Sequence, residues 1–162
     1  MPILHVQVSG HRIGPEGQPV PVEPSQVLAM RGPVVQVSIK VPPEIAERLT
    51  NAAQPVPSPI VGFALIDSGA ATSCIDITAA QSLGLPVVNV ISMASATHAD
   101  VATNVYPITF DILGGAQITV NSPRTAGATL ANQGLVLLIG RDLLSRAVFS
   151  YNGLAGQFTL CF

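Results

Sequence analysis

Apolar and polar residues alternate along four segments of the chain, a pattern typical of half-buried β-strands. These segments are residues 4–9, 35–41, 108–112 and 157–162. Two further segments, residues 60–66 and 135–139, are apolar throughout, and we expect them to be central strands buried on both faces. The pattern therefore predicts a mainly β protein.

Three short helices are predicted between these strands, over residues 43–53, 76–83 and 142–147. Pro43 suits the first turn of a helix, and Asp76 is a good N-cap because its side chain can accept hydrogen bonds from free N–H groups. Gly84 and Pro86 supply a stop signal after the second helix. Residues 151–156, Tyr-Asn-Gly-Leu-Ala-Gly, predict the turn of a C-terminal β-hairpin.

Proline divides the chain into two parts, since eleven of the 14 prolines lie at or before Pro59. Five of them fall within residues 10–33 together with four glycines, and we expect this stretch to be an extended loop or covering arm without a regular helix. We interpret residues 1–59 as a Pro-rich N-terminal extension with one or two strands and a possible short helix. Residues 60–162 form the main domain in this interpretation.

Charge is scarce: only 10% of the 162 residues are charged, and the net charge is −2. This balance excludes electrostatic binding of nucleic acid and favours self-association. The chain has no run of about 18 apolar residues and no basic start typical of a signal peptide, so we expect no membrane segment and a cytoplasmic location. The two cysteines and three histidines show no ligand spacing, and we expect no metal or cofactor.

Candidate catalytic residues follow the first apolar strand, which ends in the run Asp67-Ser68-Gly69-Ala70. A carboxylate buried at the end of a core strand costs free energy unless it is paired or hydrogen-bonded, so an Asp here suggests a function. A second apolar strand, about 70 residues later, ends in Gly140-Arg141-Asp142 and a short predicted helix.

Together, these two motifs resemble the catalytic segments of the retropepsin-like (retroviral-type) aspartic proteases. That family has an apolar–Asp–Ser/Thr–Gly–Ala loop and, further along, an apolar–apolar–Gly–Arg–Asn/Asp segment before its helix. The resemblance covers roughly residues 60–162, which would be the retropepsin-like catalytic domain. It implies a single-domain acid-protease β-barrel with one or two short helices and a flap hairpin, active as a twofold homodimer.

The resemblance also implies roles for the matched residues. Asp67 would be the catalytic aspartate, and Ser68 would join the catalytic loops of two copies. Gly69 and Ala70 would line the loop beside the substrate, and Gly140 would pack behind the catalytic loop. Arg141 would open the helix, and Asp142 would give structural support. The flap would have arms at residues 88–94 and 101–107, with a tip that includes Ala96, Thr97, His98 and Ala99.

Two positions depart from the viral pattern. Viral members carry a second Asp shortly after the catalytic one, where it pairs with the helix Arg. Here residues 71–73 are Ala, Thr and Ser, so Arg141 needs another partner. The flap tip is glycine-rich in viral enzymes, whereas residues 95–100 contain no glycine.

A single Asp-Ser-Gly implies two chains. The acid-protease reaction needs two carboxylates that share a proton. Asp67 is followed by Ser-Gly, and no other Asp in the sequence is followed by Ser-Gly or Thr-Gly. The second carboxylate must come from Asp67 of another copy across a twofold axis. We therefore expect a homodimeric aspartic endopeptidase that acts on peptides or proteins, and residues 158–162 are candidates for a strand shared between the copies.

Two alternatives stay open. A serine-hydrolase triad would use Ser68 or Ser73, His98 and an Asp, but the sequence lacks a Gly-x-Ser-x-Gly nucleophile elbow. A second alternative keeps the retropepsin-like fold as a dimeric peptide-binding or scaffolding module with weak catalysis. Tight peptide binding without turnover would distinguish this module from a protease.

Overall fold

The computed structural model describes residues 2–93, 101–115 and 118–162. Its strands are β1 (Ile3–Gln7), β2 (Gly10–Ile13), β3 (Pro19–Val22), β4 (Val34–Lys40), β5 (Ile60–Ile66), β6 (Cys74–Asp76), β7 (Asn89–Met93), β8 (Val101–Ile112), β9 (Ile118–Ala128), β10 (Leu137–Ile139), β11 (Val148–Asn152) and β12 (Gln157–Cys161). Its helices are α1 (Pro24–Arg31), α2 (Pro43–Asn51), α3 (Ile77–Ser82) and α4 (Arg141–Leu144), with a 3₁₀ turn at Ala131–Gln133.

Six strands close into a barrel. Their order is β4-β5-β10-β6-β9-β8, and β4 pairs again with β8, so that the sheet meets itself. β10 runs parallel to β5, and β6 runs parallel to β9, whereas the other neighbours in the barrel are antiparallel. β7 pairs with the first half of β8, beyond the barrel. The prediction of a mainly β barrel with few short helices is confirmed.

The core of the barrel is made by inward-facing residues of the alternating strands. Val37 and Ile39 of β4, Phe110 of β8, and Leu137 and Ile139 of β10 are all 0% exposed. Removing these side chains from water is the main source of folding free energy, at about 1.5–3 kcal/mol for each large apolar side chain. The barrel therefore gives β5 and β10, which lead into the two motifs, a rigid base.

The outer face of β5 is more exposed than its composition predicts. Val61 and Phe63 are 56% and 52% exposed, whereas Ala64 and Ile66 on the inner face are buried. The prediction that β5 is buried on both faces is therefore wrong. β10 is shorter than the predicted strand and begins at Leu137, two residues after the start of the apolar run.

The two ends of the chain form a separate three-stranded sheet in the order β1-β12-β11. β12 is the middle strand, and its Phe158 and Leu160 are buried in the main core of the same chain. The predicted C-terminal hairpin is confirmed, since Asn152 pairs with Gln157 across the turn. The expectation that residues 158–162 are a strand shared between copies is wrong, because β12 already has a neighbour on each edge.

The N-terminal segment contains more regular structure than its proline content predicts. Residues 10–22 form the β2–β3 hairpin, and the next eight residues form α1. The prediction of an extended arm without a helix is wrong. Pro24 takes the first helical turn, where a missing N–H costs nothing, and prolines of β3 are tolerated in a two-stranded ribbon with free edges.

Residues 2–59 thus hold four strands and two helices, instead of the one or two strands and one short helix that we expected. Among them, β4 pairs along most of its length with β5 on one edge and with β8 on the other. Although its sequence belongs to the N-terminal part, β4 is a strand of the barrel. The α1 helix precedes β4 directly and ends at Gly32, whose φ of 71° is the left-handed conformation that glycine adopts readily.

The three predicted helices are confirmed as α2, α3 and α4, with small differences in length. Asp76 is the N-cap of α3, and its Oδ1 accepts hydrogen bonds from the backbone N–H groups of Thr78 and Ala79. α4 begins at Arg141 instead of Asp142 and covers only four residues. None of the helices that the structure describes is long and apolar enough to cross a membrane.

Candidate active site

Asp67 lies at the point where β5 leaves the barrel. Its backbone N–H donates to the carbonyl of Ile139 at 2.9 Å, which extends the β5–β10 pairing by one residue. Its side chain is half-buried, and Oδ1 accepts a hydrogen bond from the N–H of Gly69 at 2.8 Å. A Cβ atom at position 69 would lie 3.0 Å from Oδ1, so glycine permits this close approach. The carboxylate is held in one orientation at the surface of the chain.

Arg141 holds the carbonyl side of the same loop. Its Nη1 donates to the carbonyl oxygens of Ser68, at 2.8 Å, and Gly69, at 2.7 Å. The backbone N–H of Arg141 also donates to the carbonyl of Ala70 at 2.9 Å. These bonds give Arg141 the partner that the sequence left unassigned, which is the loop backbone.

A network of hydrogen bonds connects the end of the Asp67 loop to the start of α4. Asp142 Oδ1 accepts hydrogen bonds from the N–H of Ser73, at 2.9 Å, and from its hydroxyl, at 2.7 Å. The same hydroxyl accepts from the N–H of Gly140 at 2.9 Å. Ser73 is fully buried, so these bonds satisfy polar groups that would otherwise be costly. The network fixes the start of α4 against β6, the strand that follows the Asp67 loop.

Gly140 allows this close packing. A Cβ atom at this position would lie 2.8 Å from the carbonyl carbon of Thr72 and 3.0 Å from the backbone nitrogen of Ser73. Backbone atoms cannot yield as a flexible side chain can, so any larger residue would push the two motifs apart. The structure therefore brings Gly140, Arg141 and Asp142 together with the Asp67 loop, as the spacing of the motifs predicts.

Cys74 lies beside the site without being suited to reaction. Burial, followed by the negative charges of Asp142 and Asp67, raises the pKa of the Cys74 thiol to about 11. A neutral, buried thiol is a poor nucleophile and a poor metal ligand, because both roles need the thiolate. Within the described residues, no group of three or more His, Cys, Asp or Glu side chains is arranged to hold a metal ion.

Asp76 is a buried carboxylate with a second role that the sequence did not reveal. Besides capping α3, its Oδ2 accepts hydrogen bonds from the N–H groups of Leu130, at 2.9 Å, and Ala131, at 3.0 Å. Burial opposes ionisation, yet the four backbone donors prevail and lower the pKa of Asp76 below its ordinary value. Asp76 therefore fastens the 3₁₀ turn at Ala131–Gln133 to β6, the strand that follows the Asp67 loop.

The predicted arms of the flap are present as strands. β7 and the start of β8 form an antiparallel hairpin in which Met93 pairs with Val101. The predicted tip residues Ala96, Thr97, His98 and Ala99 lie outside the described residues. The role of this hairpin as a flap stays a prediction.

The serine alternative gains no support from the described part of the site. The Ser73 hydroxyl is buried and engaged with Asp142 and Gly140, so it is not available to attack a substrate. Ser68 is exposed, and the histidine required for its activation, His98, lies outside the described residues. Another histidine, His5, bonds Thr159 in the terminal sheet.

The sequence suggested Ser73 only as a possible nucleophile and Asp76 only as a helix N-cap, and it did not predict their bonds in this site. A signal for Ser73 was present, because a hydroxyl directly before a strand needs a partner when it is buried, and Asp142 is the carboxylate of the second motif. No local signal could reveal the bonds of Asp76 to a turn that lies 54 residues further along the chain.

The chain is thus a mainly β protein with a closed six-stranded barrel, and a strand end of that barrel presents an Asp-Ser-Gly loop. No protein-family model matches the sequence. No curated protein matches it either.

Two solved structures resemble the chain at low identity. One is a retropepsin-like aspartic protease from Rickettsia conorii, with 14% identity, a TM-score of 0.42, and coverage of 98% of this chain and 90% of that one. The other is the retroviral protease-like domain of Ddi1 from Leishmania major, with 16% identity, a TM-score of 0.38, and coverage of 74% and 81%.

Proposed function

We propose that this protein is an aspartic endopeptidase whose active site forms where Asp67 of two copies meet on a twofold axis. The geometry of the catalytic loop carries the proposal. A half-buried carboxylate stands at the end of a barrel strand and is oriented by Gly69, while Arg141 holds the loop carbonyls. A bond of the Asp67–Gly69 type is common in turns, whereas the two bonds from Arg141 come from a second segment that a plain connecting turn does not need.

The proposed reaction requires a second carboxylate, and the described residues of one chain have none to spare near Asp67. Asp142 lies in the second motif, but its Oδ1 already accepts from Ser73 and from the N–H of Leu143. Both oxygens of Asp76 are occupied by backbone donors. A second copy of Asp67 is the simplest source, and a twofold axis would bring two identical loops face to face.

In the proposed dimer, the two Asp67 carboxylates share one proton because like charges at such short range cannot both ionise. The ionised member takes a proton from water, and the protonated member donates a hydrogen bond to the scissile carbonyl oxygen. Water attacks the carbonyl carbon, and the proton is passed to the leaving nitrogen as the peptide bond breaks. An extended peptide would be bound by backbone hydrogen bonds of the strand type.

The neighbouring side chains support this reading over a thiol or serine mechanism. The raised pKa of Cys74 keeps the thiol protonated at neutral pH, and the Ser73 hydroxyl is buried in the network with Asp142. Asp67 is the side chain at the loop that combines partial exposure with a defined orientation.

The test compares wild type with Asp67→Asn and with a matched control, Asp111→Asn, in which the changed Asp lies on β8 in an ion pair with Lys40. Cleavage of a peptide mixture is followed by mass spectrometry at mildly acidic pH, and circular dichroism checks the fold. We expect Asp67→Asn to abolish cleavage and Asp111→Asn to retain it. Cleavage by a folded Asp67→Asn variant would end the aspartic-protease proposal.

A mixing experiment tests the shared site directly. If each active site contains one Asp67 from each copy, added Asp67→Asn chains will form inactive mixed dimers with wild type. We expect the activity per wild-type chain to fall as the variant is added, whereas Asp111→Asn chains should not reduce it. Unchanged activity would show that each chain works alone. Peptide binding by wild type without turnover would instead favour the binding or scaffolding module.

A further inference from the structure

The 3₁₀ turn at Ala131–Gln133 separates two open spaces on the surface of the barrel. One space, of about 630 Å³, lies along β5, and the other, of about 860 Å³, is bordered by α3, β7, β8 and the end of β9. Gln133 lines both of them, and residues 131–134 are all exposed. The turn is therefore a ridge between the two spaces, and it carries the amide side chain of Gln133.

This ridge borders both parts of the proposed active site. The space along β5 is lined by Leu65, two residues before Asp67. The other space is lined by Met93 and Val101, which pair with each other in the predicted flap arms. A peptide held between the Asp67 loop and the flap hairpin would therefore pass beside the turn. The Gln133 amide has donors and an acceptor, so it can pair with a peptide group.

Asp76 holds the turn in this position. Leu130 and Leu135, at the two ends of the turn segment, are 5% and 7% exposed and belong to a small apolar cluster, whereas Gln133 has open space on two sides. Asp76 Oδ2 accepts hydrogen bonds from the N–H groups of Leu130 and Ala131, where the turn begins. Its Oδ1 caps α3, so the carboxylate joins the turn to a second element.

We propose that Gln133 hydrogen-bonds the backbone of the peptide substrate and that Asp76 is a positioning residue, which holds the turn for this contact. The inference rests on the proposed function, since it assigns Gln133 to the same site. Asp76 does not itself touch the substrate, because both of its oxygens are occupied by backbone donors. It acts through the turn.

The first experiment removes the amide. Gln133→Ala is compared with wild type and with Gln54→Ala, a matched control at an exposed position before β5, at the end of that strand opposite to Asp67. We expect Gln133→Ala to raise KM by roughly threefold to tenfold, the value of one hydrogen bond, with kcat retained. Gln54→Ala should leave both constants unchanged. An unchanged KM in Gln133→Ala would overturn the inference.

The second experiment releases the turn while α3 keeps its cap. Asp76→Ser retains a good N-cap hydroxyl but lacks an oxygen for Leu130 and Ala131. We expect KM to rise about as much as in Gln133→Ala, and the double variant to show no further rise, because both changes remove the same contact. Multiplication of the two effects in the double variant would overturn the positioning role. Circular dichroism checks that each variant is folded at the assay temperature.

A measurement on the wild type decides the positioning role if Asp76→Ser is unfolded. Hydrogen exchange is followed by nuclear magnetic resonance with and without an uncleavable analogue of the peptide. We expect the analogue to slow exchange of the Ala131 N–H more than that of the Thr78 N–H, which is bonded to the other oxygen of Asp76, because the bound peptide steadies the turn. An equal change at the two N–H groups would overturn the positioning role.

Failure of the proposed function is distinguishable from failure of the inference. If wild type does not cleave the peptide, its binding is measured by calorimetry with Gln133→Ala and Gln54→Ala. Binding that is weakened by Gln133→Ala alone would retain the contact and reject the protease. Absence of both cleavage and binding would overturn the two proposals together.

Discussion

Asp142 accepts, through the single oxygen Oδ1, hydrogen bonds from both the backbone N–H and the hydroxyl of Ser73. The two residues lie 69 positions apart in the sequence, at the end of the Asp67 loop and in the first turn of α4. The hydroxyl also accepts from Gly140, so one side chain satisfies groups on both motifs. This pairing gives the loop of Asp67 a fixed base.

Ser73→Ala should destabilise the protein by roughly 1–3 kcal/mol, because it leaves the buried N–H of Gly140 without an acceptor. Urea unfolding, followed by circular dichroism, measures the change. Ser82→Ala is the matched control, since its hydroxyl makes one exposed bond to the carbonyl of Thr78, and it should change stability by less than about 0.5 kcal/mol. Equal stability of Ser73→Ala and wild type would contradict the role of the network.

Asp76→Asn should destabilise the protein almost as much as removal of the side chain, by roughly 2–3 kcal/mol. An asparagine oxygen can replace only one carboxylate oxygen, and its NH₂ group would face two N–H donors, either from Thr78 and Ala79 or from Leu130 and Ala131. Asp111→Asn is the control, because its partly exposed pair with Lys40 should be worth about 1 kcal/mol or less. The same urea titration compares the two variants.

The stability of the wild type should fall in acid through Asp76. The pKa of Asp76 is lowered in the folded chain, so its contribution is present above the ordinary Asp value and is lost as the pH falls through the folded value. We expect the free energy of unfolding to decline below about pH 4, and Asp76→Asn to flatten this decline. Burial raises the pKa of Asp111, but hydrogen bonds from Lys40 and Thr119 outweigh this effect and lower it. Because the pair with Lys40 is partly exposed, Asp111→Asn should remove a smaller part of the acid-induced loss of stability than Asp76→Asn does. An equal decline in wild type and Asp76→Asn would contradict the assignment.

Cys74 should resist thiol reagents in the native protein. Its thiol is buried and its pKa is raised to about 11, so little thiolate exists at neutral pH. Cys161 is only partly buried, and we expect it to react first with a disulfide reagent at pH 7.5. Cys74→Ser and Cys161→Ser, each tested alone, assign the fast and slow phases. Rapid modification of native Cys161→Ser, in which only Cys74 remains, would contradict the burial.

The alternating strands were predictable because a period of two shows in the sequence wherever one face of a strand is buried. The α1 helix was not. Five prolines and four glycines in residues 10–33 suggested that no helix could form, yet their positions matter more than their number. Pro24 lies in the first turn of α1, and Pro33 lies beyond Gly32, where the helix has ended. A proline at either end is compatible with a helix in which the seven residues 25–31 follow Pro24.

The loop of Asp67 was predictable from two local runs, whereas the contacts around it were not. Asp67 and Gly140 are placed by residues adjacent to them in the sequence. The bonds of Asp76 to Leu130 and the packing of α1 beside Leu65 arise only when distant segments meet in the barrel. Such contacts produce no repeating pattern in the sequence, because each one involves only single residues from distant segments.

The position of β12 has a consequence for how two copies would hold together. With β1 on one edge and β11 on the other, the C-terminal strand is fully paired inside its own chain. In the proposed dimer, each C-terminal strand would stay in its own chain, and separation of the copies would leave each of these terminal sheets intact. We expect a dimer without an exchanged C-terminal strand to dissociate on dilution, so that proteolysis would fade on dilution and return on concentration.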